Sequence, residues 1–259
     1  MAITSNDIFE ALQKPSLWWH FGIQDIKLRY RRSIIGPWWL TISTGIMVAS
    51  LGFLWSKIFG NDIASYLPYY AIGQIFWNWM SGQITESCSG FSQFEGIIKQ
   101  VKLPFFAYIL RIFTRNTIIL LHNSVVLILV FLYCNKAISV LMLLAIFNLF
   151  IVSLSILSAS LIVAILCTRY RDLTPVIASI LQILFFFSPI LWEPSSLRGK
   201  SYIAQINPIY HWIEVIREPL LGNMPSALSF YVAIGSALVL SVVASVLLSR
   251  FKNRIAYWL

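Results

Sequence analysis

A membrane-crossing helix needs roughly 20 predominantly apolar residues. Six runs along the chain approach or exceed that length, from about Trp38 to Phe59, Leu67 to Ser89, Ile109 to Tyr133, Ile138 to Cys167, Pro175 to Trp192 and Ala227 to Ser249. The fourth is long enough to tilt or overhang the bilayer. The third is the least regular, because Arg111, Arg115 and His122 lie in its first half. The pattern predicts an all-α integral membrane protein with six transmembrane helices.

Two polar stretches read differently. Over residues 4–20, Thr4, Ser5 and Asn6 can cap a helix whose first turn carries Asp7 and Glu10. Ile8, Leu12 and, beyond Pro15, Trp18 and Trp19 form its apolar side. This suits an interfacial amphipathic helix, with a frayed tail as the alternative. The segment from Trp192 to Asn223 is too polar to span and is punctuated by Pro194, Pro208 and Pro219, with Pro225 just beyond it. Within it, Ile209, Trp212, Ile213 and Ile216 recur at helical spacing and predict a short amphipathic helix at the outer surface. The expected organisation is one transmembrane domain over 1–259. Residues 4–34 form an interfacial and basic segment, 35–192 spans one to five, 193–226 an outer segment, 227–250 span six and 251–259 a cytoplasmic tail.

Composition supports the membrane reading. Of the 259 residues 58% are hydrophobic and 11% charged, against about 25% charged in soluble domains. The net charge of +9 does not point to nucleic acid, because the cations flank apolar runs. Lys14, Lys27, Arg29, Arg31, Arg32, Lys99, Lys102, Arg111, Arg115, Arg169, Arg171, Arg250, Lys252 and Arg254 fall on one side of the predicted topology. Lys57, Lys136, Arg198, Lys200 and Arg217 fall on the other. That imbalance places both termini in the cytoplasm. The first 30 residues hold no apolar stretch followed by a small-residue cleavage site, so the first span is expected to act as an uncleaved signal anchor. Cys88, Cys134 and Cys167 are odd in number and widely spaced, which argues for packing residues over disulfides or zinc.

No hydrolytic, redox or cofactor motif is present. His20, His122 and His211 lack ligand spacing. Gly199-Lys200-Ser201 lacks the glycine a phosphate-binding loop requires five residues before its Gly-Lys pair, so the chain is not expected to hydrolyse ATP. The second span carries the clearest patterned signal. Tyr66, Tyr70, Gly73 and Trp77 share one helix face, with Gln74, Asn78, Ser81 and Thr85 beside it. Such an arc suits either a sugar, with its apolar C–H faces and hydroxyls, or helix–helix packing. In the connection that follows, Ile97, Ile98, Val101 and Leu103 alternate with Lys99 and Lys102. This fits docking into a soluble partner or a loop held to lipid headgroups.

Four features in order resemble the membrane subunit of a bacterial polysaccharide exporter, an ABC-2 type permease of the O-antigen, capsule and teichoic-acid group. They are Arg29-Tyr-Arg-Arg-Ser-Ile-Ile-Gly-Pro-Trp-Trp39 before the first span, Lys99–Pro104 after the second, Tyr170-Arg-Asp-Leu173 opening the fifth, and Ser188-Pro-Ile190 followed by Asn207-Pro-Ile209 and Arg217-Glu-Pro-Leu-Leu-Gly222. The resemblance implies the six-span type V exporter fold, a homodimer forming a channel, and short re-entrant outer helices. It also implies two copies of a separate ABC ATPase that binds ATP and Mg, with no cofactor in this chain. Ile98, Lys99, Lys102, Leu103 and Pro104 would then be the ATPase-coupling segment. Tyr66, Tyr70, Gln74, Trp77, Asn78 and Ser81 would line the substrate channel. The substrate would be a lipid-linked glycan of undecaprenyl type, exported across the inner membrane. Arg29, Arg31 and Arg32 would hold its lipid pyrophosphate, since guanidinium suits phosphate oxygens; topology anchoring is the alternative. Competing readings are an ABC-2 permease for drugs or small lipids and a membrane-embedded transferase on lipid-linked sugars. The transferase would need an acidic or histidine pair that Asp25, Asp172, Glu193, Glu214 and Glu218 do not recognisably form.

Overall fold

The computed structural model describes residues 2–31, 33–36, 38–197 and 202–259, with the backbone alone at 2–6, 197 and 203. The described residues form helices joined by turns. The chain opens with α1 (Ala2–Gln13) and α2 (Pro15–Arg29), continues through α3 (Trp38–Phe59) and α4 (Ile63–Ser87), and makes a short α5 (Glu95–Gln100). Then follow α6 (Phe105–Tyr133), α7 (Met142–Arg169), α8 (Leu173–Phe187), a short α9 (Tyr202–Gln205), α10 (Pro208–Leu221) and α11 (Ala227–Trp258).

Four of these, α3, α6, α7 and α11, are long and apolar enough to cross a membrane. The other two predicted spans differ from them for opposite reasons. Helix α4 has 25 residues but carries Gln74, Asn78, Gln83 and Glu86, and it runs through the middle of the bundle with most of its side chains buried. Helix α8 is apolar but has only 15 residues, about 22 Å at the helical rise, short of the roughly 30 Å hydrocarbon core. It ends at Phe187, not at Trp192 as predicted. Ser188 is extended (ψ 141°), as the residue before a proline tends to be, and residues 188–192 turn back over α4.

Other boundaries also move. Pro15 divides the N-terminal unit into two helices, and α1 begins at Ala2, so Thr4–Asn6 lie inside it instead of capping it. Gly22 lets α2 lie against α6, because a Cβ there would stand 2.9 Å from the Thr114 side chain. Helix α11 continues to Trp258, so the expected tail is helical.

Helix α10 forms where predicted. Pro208 occupies its first turn, the Asn207 side chain accepts from Ile209 N–H, and Gly222 closes it in the left-handed conformation (φ 88°). Its face of Trp212, Ile213, Val215 and Ile216 is buried. Helices α7 and α11 meet through small residues. Ser229, Ala233, Ala237 and Ala244 are buried on α11, and Ser158 and Ser241 hydrogen-bond across at 3.0 Å. Small side chains allow the close backbone approach by which membrane helices associate.

The core has two parts. One gathers α4, α10 and the 188–192 turn around Tyr66, Tyr70, Ile75, Ile190 and Ile213. The other, at the end where both termini lie, gathers Ala11, Phe91, Phe94, Ile109, Ile112, Ile165, Leu248 and Ile255.

Candidate functional site

The end that holds both termini is organised by charge. Arg111, on α6, donates through Nε and Nη2 to both carboxylate oxygens of Asp25 on α2, at 2.8 and 2.5 Å. One turn on, Arg115 reaches Asp25 at 3.5 Å and Glu86, at the end of α4, at 2.8 Å. Asn116 donates to Glu86 at 2.9 Å and to Gln83 at 3.0 Å. Arg29, in the last turn of α2, closes the set with a 3.2 Å pair to the second oxygen of Glu86. Three cations and two carboxylates therefore tie α2, α4 and α6 together. The Arg115 side chain is 8% exposed and that of Arg29 44%, so Arg115 is a fixed member and Arg29 a peripheral one. The Arg111 guanidinium also lies over the rings of Phe94 (4.4 Å) and Phe21 (5.1 Å), contacts that favour a delocalised cation.

A third carboxylate, Asp7, plays a similar part nearby. Asp7 of α1 is buried, accepts from Phe106 N–H at the start of α6 (3.2 Å) and pairs with Lys252 of α11 at 2.7 Å. A negative group at a helix N-terminus satisfies its unpaired N–H groups and opposes the macrodipole.

Of the cations proposed for pyrophosphate, Arg29 is thus paired, Arg31 is exposed in the turn after α2, and Arg32 lies outside the described residues. The turn is completed by Gly36 in the left-handed region (φ 62°), whose N–H donates to Ser33 Oγ.

The predicted coupling segment is a surface. Ile98 and Lys99 lie in α5, Lys102 and Leu103 in the extended stretch after it, and buried Pro104 caps α6. Lys99 pairs with Glu95 at 2.6 Å. That contact holds the Glu95 carboxyl below the ordinary glutamate range. With α1 and the end of α11 the segment walls a groove of about 660 Å³, whose lining includes Glu10, Lys99, Lys102, Lys252 and Tyr257.

The α4 arc is mostly internal. Tyr66 donates to Leu191 O, Tyr70 to Gln74 Oε1 (3.2 Å), and Gln74 to Asn78 Oδ1 (2.8 Å). Tyr66, Tyr70, Gln74 and Trp77 are buried within the subunit. Asn78 and Ser81 are half-buried, and Thr85 is exposed. The packing alternative accounts for the first four, and the later positions retain accessible polar groups.

Several of these residues carry little local signal in the sequence. In the sequence Arg111 and Arg115 count as topology cations and as an irregularity of the third span, but two arginines one turn apart in an apolar helix also require partners. Glu86, the one acidic residue inside the second apolar run, was the signal for one of them. Arg217, a flank cation in the sequence pattern, is a core residue in the fold. It is 2% exposed, stacks 3.8 Å from the Tyr69 ring and donates to Pro189 O at 2.8 Å. It fits because Gly73 leaves room: a Cβ there would collide with Arg217 Nη2.

The chain has described relatives. Two proteins of Klebsiella pneumoniae, both described as O-antigen export system permease protein RfbA, are 22% and 21% identical to it over 236 and 240 residues, covering 90% of this chain and 91% of each relative. Residues 16–221 match the model of the ABC-2 type transporter family. That region takes in α2 through α10, and with them the Asp25–Glu86 ion network, the α4 arc and the α5 surface. A transport permease embedded in the membrane is what these helices and this match describe: the chain belongs to the ABC-2 type transporter family.

Proposed function

We propose that this chain is the channel-forming permease subunit of an ATP-driven exporter that moves a lipid-linked, undecaprenyl-type polysaccharide, O-antigen foremost, across the bacterial inner membrane. The observation that carries this reading is the full-length likeness to two O-antigen export permeases, over nine-tenths of both chains. In this reading α4 and α8 join the four apolar helices as spans, giving six, with both termini in the cytoplasm as the cation imbalance favours. Two copies pair to form the channel. Helix α8 buries none of its residues in the subunit, which leaves an apolar surface for a second copy or for lipid.

ATP and Mg bind a separate ABC ATPase, two copies of which dock at the groove beside α5. Ile98, Lys99, Lys102, Leu103 and Pro104 receive its motion. Because Asp25 and Glu86 bind α2 to α4 and α6, movement of the interfacial helix is transmitted to the spans. The pyrophosphate of the glycan carrier meets Arg29, Arg31 and Arg32. Glycan hydroxyls meet Asn78, Ser81 and Thr85, the accessible end of the arc.

The test is co-expression with a cognate ABC ATPase, followed by ATP hydrolysis assays with and without a lipid-linked glycan extract. A stable complex with glycan-stimulated hydrolysis is expected. Replacing Arg29, Arg31 and Arg32 together by Gln is expected to abolish export while the complex still assembles. Stimulation by small lipids or drugs but not by glycan would move the assignment to an efflux permease.

A further inference from the structure

At the end of the bundle that holds both termini, α7 and α11 enclose a groove of about 460 Å³ that none of the roles above uses. Its wall carries Arg169, Arg250 and Arg254 beside Tyr170 and Trp258, over an apolar floor of Ile165 and Leu166. Among the described residues no carboxylate side chain lines it. Among the described residues none of the three arginines forms an ion pair or a side-chain hydrogen bond, in contrast to Arg111 and Arg115. Arg169 instead lies 5.0 Å from the Trp258 ring and 5.2 Å from that of Tyr170. Three exposed guanidinium groups lining one groove make it electropositive, and guanidinium suits the oxygens of an anion entering it.

The surface leading away from the groove says what kind of anion. On α11, Val239, Val243 and Val246 precede Arg250 at spacings of four, three and four, so they share its helix face. They are 63%, 41% and 53% exposed, an apolar strip open to whatever surrounds the protein. From Val239 to Arg250 the helix rises about 16 Å, close to the thickness of one bilayer leaflet, half of roughly 30 Å. Apolar strip, cationic groove and aromatic rim therefore match, in order and in length, the acyl chain, phosphate and interface of a membrane lipid. A soluble phosphate would need the arginines but not the strip.

We propose that the α7–α11 groove binds an anionic glycerophospholipid, its phosphate held by Arg169, Arg250 and Arg254 and one acyl chain laid along Val246, Val243 and Val239. The inference rests on membrane embedding alone and not on the glycan or ATPase assignments.

The test uses the full chain in detergent and native mass spectrometry of retained lipid. The probes are dipalmitoyl phosphatidylglycerol, dipalmitoyl phosphatidylethanolamine, dihexanoyl phosphatidylglycerol and glycerol 3-phosphate. Long-chain phosphatidylglycerol should be retained over the other three. Each basic group near an anionic surface contributes roughly fivefold in affinity. Arg169→Gln, Arg250→Gln and Arg254→Gln together should therefore reduce retention by up to about a hundredfold, while Lys136→Gln, at an exposed cation of a distant turn, leaves it unchanged. Arg254→Gln alone should reduce it roughly fivefold, which keeps the test readable if the triple variant fails to fold. Equal retention of the two dipalmitoyl lipids would overturn the proposal, as would equal binding of short-chain lipid or glycerol 3-phosphate. Unchanged lipid retention in a triple variant that no longer co-purifies with the ATPase would also overturn it and assign the arginines to protein docking.

Discussion

Asp25→Asn is the sharpest perturbation of the ion network. The substitution keeps the shape of the side chain and removes its charge. Asp25 is 13% exposed, and its two partners, Arg111 and Arg115, are 15% and 8% exposed. Removing one member of a fully buried pair costs about 3–5 kcal/mol, chiefly because the remaining charge is desolvated without compensation. Here Arg115 retains Glu86, and Arg111 keeps some solvent and two aromatic faces. The expected loss is therefore about 2–4 kcal/mol. For a chain of this size that corresponds to a fall of roughly 5–15 °C in apparent melting temperature. The assay is thermal unfolding of the purified protein in detergent at one fixed scan rate. Two companions sharpen it. Asp25→Asn with Arg111→Met should recover at least half of the loss, because the orphaned cation is gone. Glu10→Gln, which removes a carboxylate from the half-exposed pair with Lys14, should leave the melting temperature unchanged. A melting temperature for Asp25→Asn within 1–2 °C of the parent, or a double variant that loses the sum of the two single effects, would refute the reasoning.

Three further outcomes follow from the geometry. Gly73→Ala should cost about 1–3 kcal/mol, because the new methyl drives Arg217 from its place on Tyr69 and Pro189 O; the loss should shrink when Arg217→Gln is added, as read by melting temperature. Asn207→Ala removes the α10 cap and a 2.8 Å bond to Ser188, and should cost about 1 kcal/mol in the same assay. Glu95, whose carboxyl is held below its ordinary range chiefly by hydrogen bonding to Lys99, should titrate lower than a free glutamate by carbon-13 NMR and move up in Lys99→Gln. Its pairing therefore supports α5 at neutral pH and is lost as pH falls through the lowered value.

Much of this fold is legible as runs of apolar residues, and what is not legible follows from what a run cannot encode. The turn signals around α10, Asn207-Pro208 before it and Gly222 after it, act locally, so its position could be read directly. The end of α8 hinges on Ser188-Pro189, also local, yet Ile190, Leu191 and Trp192 continue the apolar pattern and hid it. They are apolar because they pack against α4, not because they face lipid. The α4 arc stands out in the sequence as one polar and aromatic face, but periodicity cannot distinguish a face turned to a channel from one turned to a neighbouring helix. The ion network was out of reach for a different reason. Asp25 and Arg111 are 86 positions apart, and only the docking of α2 on α6 at Gly22 brings them together. Arg217 needed Gly73, on another helix, to become a core residue.

The bonds between α4 and α6 also bear on how the chain enters the membrane. Gln83 and Glu86 find Asn116 and Arg115 on the next long helix, and Arg115 and Asn116 find them in return. Neither segment inserts readily alone: α6 carries Arg111 and Arg115 within its length, where a charge opposes insertion by up to roughly 3 kcal/mol, and α4 carries Gln74, Asn78 and Gln83 with Glu86 at its end. In the six-span arrangement proposed above, insertion as a hairpin lets each cancel the other's burden, with Asp25, synthesised earlier, receiving Arg111. A ribosome stalled just after α4 should therefore hold a helix still lodged at the translocon, released to lipid only when α6 emerges to claim it.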